Sequence, residues 1–135
     1  MTVRILIFAP RKPDLTPAQF QHHYETVHVP LVQKIAGSDF PVSHKRLYLA
    51  RQPADGVADG SPSYPAVVFL GEQAQFDFDA IADVSFEDQK HFEAFRVKFE
   101  EPEAAKILEE DEERFLDRKK IRIVMLGDAT ETKRA

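Results

Sequence analysis

The chain has no cysteine at all among its 135 residues, which excludes a disulfide framework, a thiolate zinc site and any sulfur nucleophile. That absence fits a reducing compartment. Glycine is scarce: the five glycines are scattered and form no phosphate-cradling loop, so a nucleotide cofactor is not expected. Positive charge is also in deficit, with 18 Lys and Arg against 23 Asp and Glu; a net charge of −5 repels phosphate backbones and argues against nucleic-acid binding. Apolar runs such as Ile5-Leu6-Ile7-Phe8-Ala9 and Ala66-Val67-Val68-Phe69-Leu70 fall far short of the roughly 18 residues a membrane span needs. Arg4 interrupts the N-terminus before any long apolar region, so no secretory leader is expected and the chain reads as cytoplasmic.

What is present suits one globular domain. The composition is 43% apolar with eleven Phe, and a chain of this size buries roughly two-thirds of its unfolded surface. Thr2 to Phe8 reads as a first strand, closed by Ala9-Pro10 and a turn at Arg11-Lys12-Pro13-Asp14. Thr16-Pro17-Ala18-Gln19 carries a capping Thr, a Pro at the first helical position and a Gln three residues after the cap, which together start a helix. At about 100° per residue, Phe20, Tyr24, Val27 and Leu31 form its buried stripe, with His23 and His28 on the flanks. Pro30 should kink or restart this helix, which ends at Gly37.

Further along, His44 to Arg51 alternates, with Leu47 and Leu49 on one face and His44, Arg46 and Tyr48 on the other. Gln52 to Asp77 reads as an insert, within which Ala66 to Leu70 is a short buried strand or packed loop. Phe78, Ala80, Ala82, Val84 and Phe86 share one face of a third strand, and Ser85 or a neighbour should cap a helix carrying the stripe Phe92, Phe95 and Phe99. Pro102 opens another helix, with Ala104, Ala105, Leu108, Phe115 and Leu116 inward and the acidic run Glu109 to Glu113 solvated. Ile121 to Leu126 is the last strand, before a polar tail at 128–135.

The order β, α, β, insert, β, α, α, β describes an α+β, ferredoxin-like split βαβ sandwich over residues 1–127: a four-stranded antiparallel sheet with helices on one face. The other face is left bare, and a two-fold related copy is the simplest cover, giving a homodimer.

The stretch from Arg11 to Phe20, followed by His23-Tyr24 and His28-Val29-Pro30-Leu31-Val32, resembles the signature of the EthD-domain family within the dimeric α/β-barrel superfamily. The resemblance extends through Phe40 to His44, Phe78 to Asp88 and Phe115 to Arg118, and resembles members common in fungi. It implies a ferredoxin-like protomer that dimerises sheet to sheet, with a pocket between sheet and helices. It also implies a range of activities: decarboxylases, dehydratases, cyclases and lactone isomerases on aromatic or polyketide-like substrates, cofactor-free monooxygenases, and haem proteins. The insert, longer than in the bacterial pattern, is a candidate lid or dimer contact.

His28 is the leading catalytic candidate. It stands at the edge of an apolar stripe, its ordinary pKa of about 6.5 suits proton transfer, and the family motif also has a histidine there. The competing structural role is to cap the turn at Pro30 or bond a carbonyl. His44 is the second candidate for proton transfer. Arg46 and Tyr48 share its strand face and would steady a phenolate or carboxylate, unless all three lie in a dimer interface or pair with acids of the insert. Tyr24 should pack its ring and point its hydroxyl at the pocket mouth, and His23 is a further candidate substrate contact. Asp83 would either orient an imidazole or pair with Arg4 or Arg122.

His23 and His28, about 140° apart on an ideal helix, are not expected to clasp one ion, and there is no His-Glu-x-x-His spacing, so no metal is predicted. Nothing argues for haem. The leading reading is a cofactor-independent acid/base enzyme (decarboxylase, dehydratase, cyclase or isomerase) on a small aromatic or polyketide-like substrate. The alternatives are a cofactor-free monooxygenase of anthrone- or quinol-type substrates and a non-catalytic binding or accessory protein.

Overall fold

A computed structural model of the chain describes residues 2–52 and 64–135. Four strands, β1 (Val3–Ala9), β2 (Ser43–Tyr48), β3 (Ala80–Phe86) and β4 (Arg122–Met125), form one sheet in the order β2-β3-β1-β4, every neighbouring pair antiparallel. The helices are α1 (Pro17–His23), α2 (Val29–Ala36), α3 (Gln89–Glu100) and α4 (Pro102–Phe115). This is the ferredoxin-like arrangement that the order of elements predicts.

Register assigns the two faces of the sheet. Val3 opposes Phe86, Ile5 opposes Val84 and Ile7 opposes Ala82, while His44, Arg46 and Tyr48 oppose Val84, Ala82 and Ala80. Side chains alternate along a strand, so these residues share the helix-covered face. Phe86 there is fully buried, with Phe92 and Phe95 from α3 at 5.0 and 5.1 Å between ring centroids. A second cluster gathers Ala9, Phe20, Tyr24, Ala80, Phe115 and Leu116 between the sheet, α1 and α4. The opposite face carries Leu6, Phe8, Ile81, Leu47 and Val124, the last two 45% and 48% exposed.

Local chemistry explains the helix ends. Thr16 caps α1 through a reciprocal capping box with Gln19. α3 is capped by Asp88, whose carboxylate accepts from the His91 backbone, so the cap lies three residues beyond Ser85. Glu101 caps α4 ahead of Pro102. Between α1 and α2, Tyr24–His28 forms a single π-helical turn, closed by the Val29 N–H on the Tyr24 carbonyl. Two features favour it. Pro30 has no N–H to continue the α-helical ladder, and the Thr26 hydroxyl donates to the His22 carbonyl at 2.6 Å.

One expectation needs correction. Of Ala66 to Leu70 only Ala66 is buried; it bridges Arg51, whereas Phe69 and Leu70 are 99% and 91% exposed. Of the insert at 52–77, Gln52 and residues 64–77 are described, and the rest of the candidate lid lies outside the described residues. After Leu126, whose N–H donates to the Arg4 carbonyl, the tail is exposed and without regular structure. Among the described residues no helix is long and apolar enough to cross a membrane.

Candidate active site

Between the helix-covered face and α2, α3 and α4 lies a cavity of about 210 Å³. Its wall is mostly apolar, built from Ile5, Ile7, Val84, Phe95 and Phe115 among others; its ionisable side chains are Tyr24, His28, His44 and Glu112. Few convergent polar groups in an apolar pocket is the usual composition of a small-molecule site.

His28 enters from the π-helical turn. Its Nδ1 stands 2.9 Å from Oδ2 of Asp111, and His23 Nε2 stands 2.9 Å from the other oxygen, Oδ1. Asp111 is 2% exposed. A carboxylate accepts, so His28 donates through Nδ1–H and its Nε2 carries the lone pair when the ring is neutral. Phe115 packs against both rings, at 4.7 Å from His23 and 4.9 Å from His28.

This corrects two sequence expectations at once. On an α-helix His23 and His28 diverge, but a π-helical turn bonds residues five apart and so stacks them over one another, and both imidazoles meet one carboxylate. The run Glu109 to Glu113 is not uniformly solvated: Asp111 lies seven residues after Ala104, three after Leu108 and four before Phe115, on the inward stripe of α4. That spacing is the signal by which it can be found.

His44 faces the cavity from β2. Arg46 donates from its Nη1 to His44 Nδ1 at 2.9 Å, and a guanidinium has no acceptor, so a neutral His44 carries its proton on Nε2. Burial, reinforced by the Arg46 charge, pulls its pKa down to about 4. Tyr24 lies between the two histidines, 5.6 Å from the His28 ring and 6.4 Å from that of His44. Burial, with help from the Glu25 and Glu112 charges and against that of Arg46, raises its hydroxyl pKa well above the ordinary value, so Tyr24 stays a protonated donor.

The remaining candidates sit elsewhere. Arg46 and Tyr48 do face the helices, but Glu25 holds both: Arg46 Nε and Nη2 donate to its two oxygens at 2.6 and 2.9 Å, and the Tyr48 hydroxyl donates at 2.5 Å. Neither lines the cavity. Glu25 was not among the sequence candidates, because nothing in spacing alone brings a helix residue to a strand more than twenty residues away. His23 stands behind Asp111 and does not line this cavity. Asp83 lies on the opposite face of the sheet and pairs with Arg4 at 2.7 Å, the structural alternative weighed for it.

A larger cleft of about 560 Å³ lies beside Arg11, Arg51 and Asp79. There both guanidiniums are spent on the Asp79 carboxylate, each at 2.9 Å. Among the described residues no group of three or more metal-ligating side chains is disposed to hold an ion.

The sheet order and one-sided helices define a ferredoxin-like α+β protein. The EthD domain family model matches residues 12–119, and the chain belongs to the EthD-domain family. Among solved structures it is similar to an ethyl tert-butyl ether D (EthD) family protein from Bacillus halodurans, with 19% identity, coverage of 96% of this chain and 100% of that one, and a TM-score of 0.53. It is also similar to an EthD-like protein from Ralstonia eutropha (14% identity, 93% and 87% coverage, TM-score 0.49). A dimeric ferredoxin-like protein of unknown function from Thermobifida fusca matches at 13% identity, with 93% and 90% coverage and a TM-score of 0.46. A comparison with curated proteins gives no match.

Proposed function

We propose that the protein is an acid/base enzyme acting on a small aromatic or polyketide-like substrate in the 210 Å³ cavity, without need of a cofactor for its proton steps. One observation carries this reading: the two cavity imidazoles are held in opposite tautomers, His28 with a free Nε2 lone pair and His44 with an Nε2–H. His28 Nε2 removes a proton from a carbon beside a carbonyl, and the electron pair moves onto the oxygen. The neutral Nε2–H of His44 and the Tyr24 hydroxyl donate to that oxyanion. Returning that proton from the His28 imidazolium to another carbon completes an isomerisation; delivering it to a β-hydroxyl, which leaves as water while the enolate electron pair forms the new C=C bond, completes a dehydration. Asp111 fixes the His28 tautomer and stabilises the imidazolium that forms.

The test is turnover of a panel of hydroxylated aromatic ketones and acids, following mass change, CO₂ and O₂ uptake in parallel. Mass change without O₂ consumption, abolished in His28→Ala, is the expected outcome. Full turnover by that variant overturns the reading, and stoichiometric O₂ consumption replaces it with an oxygenase.

We also propose that a second copy of the chain covers the open sheet face. Its apolar side chains, Leu47 and Val124 among them, stand exposed beside the internally paired Arg4 and Asp83, which suits burial against a two-fold related copy. Sedimentation equilibrium should give a dimer, and Leu47→Glu a monomer; a monomeric wild type contradicts it.

A further inference from the structure

We propose that the cavity admits uncharged hydroxyaromatic or enolisable carbonyl compounds of one or two rings and rejects carboxylates, an inference that rests on the reading of this cavity as the substrate site. Charge and size both select against an acid. Of the ionisable groups on the wall, Tyr24, His28, His44 and Glu112, none is a permanent cation. Behind His28 stands the buried Asp111 carboxylate, whose nearest guanidinium, that of Arg114, is 3.8 Å from it, largely exposed and off the cavity wall. The nearest guanidinium behind His44, that of Arg46, is neutralised by both oxygens of Glu25. Glu112 adds its own negative charge, and its partner Arg118 is shared among Glu112 at 3.2 Å, Glu109 at 3.3 Å and Glu113 at 3.7 Å.

Asp111 and Glu112, the two carboxylates of the run Glu109 to Glu113 that are not exposed, therefore set a negative potential along one side of the site. A carboxylate entering this apolar space would shed its water and find no unspent cation to replace it, whereas a phenol or ketone loses little and meets ready donors. At about 210 Å³ the space is also smaller than the roughly 300–1,000 Å³ typical of sites for larger ligands. Within the proposed chemistry this favours isomerisation or dehydration of neutral substrates over decarboxylation of an acid.

The test compares two probes of one shape by calorimetric titration of the full chain near neutral pH: 2-naphthol, uncharged, and 2-naphthoate, anionic. The naphthol should bind at least about tenfold more tightly. Raising salt to ~0.5 M should strengthen naphthoate binding by screening the acidic run, while naphthol changes by no more than about twofold. Glu112→Gln should narrow the gap in the same direction. Equal or tighter binding of naphthoate, or binding of neither probe, overturns the proposal. Its failure is separable from that of the acid/base reading: a carboxylate turned over in a His28-dependent reaction refutes only the selectivity. Tight naphthol binding with no turnover of any neutral ketone refutes only the chemistry.

Discussion

Two carboxylates, Glu25 with 36% of its side chain exposed and Asp111 with 2%, reach the same helix-covered layer and meet different partners. Glu25 meets a permanent cation and a phenol, and its bonds to Arg46 and Tyr48 close the cluster on itself. Asp111 meets two imidazoles at 2.9 Å, each of which keeps a second nitrogen, and its guanidinium neighbour Arg114 stays outside hydrogen-bond distance at 3.8 Å. A carboxylate paired with guanidinium is consumed as structure, because arginine has only donors and does not deprotonate in proteins. The same carboxylate against histidine leaves a basic atom on the far side of the ring, here aimed at an apolar cavity. The difference separates a brace from the proposed acid/base pair, although both look alike as ion pairs.

Breaking that contrast has graded consequences. The largest belongs to His28→Ala, for which we expect a fall in kcat/KM of about 10²–10⁴ with the circular dichroism spectrum retained. Asp111→Asn comes next: an amide cannot accept from both imidazoles, so turnover should drop about 10²-fold through a misoriented His28. Unfolding in urea should show a loss of about 1–3 kcal/mol in the same variant.

His44 gives the third prediction. Its folded pKa, about 4, lies below that of the unfolded chain, so between about pH 6.5 and 4 the unfolded state binds the extra proton. Stability from this group is complete above about 6.5 and is lost as pH falls toward 4, by up to about 3 kcal/mol. Urea titrations across that window should show a shallower slope for His44→Leu than for the wild type. Smallest is Glu25→Gln, which loosens a partly exposed pair and should cost about 1 kcal/mol or less. A larger effect on turnover from Glu25→Gln than from Asp111→Asn would reverse the comparison.

The fold was legible because its signals are local. Alternation in Ala80–Phe86, the Thr16 box and the prolines at 17 and 102 each act within a few residues, and they place the elements almost where they stand. His28, His44 and Tyr24 were legible for a related reason: each sits on the inward stripe of a recognisable element. Arg46 and Tyr48 were read on the correct face, but Glu25 was not read as their partner, since the π-helical turn that carries it reaches them only through packing on the sheet. Asp111 was hidden among neighbouring acids, and the π-helical turn defeated any angle drawn on an ideal helix.

Composition and periodicity by themselves determined the architecture, the apolar cavity wall and the absence of thiol chemistry, because burial of alternating and stripe-forming residues follows from spacing alone. Tertiary structure decided which charge met which. Electrostatic pairing acts across 83 residues between His28 and Asp111 and 21 between Glu25 and Arg46. Over such separations only the packed fold brings donor and acceptor within bonding distance.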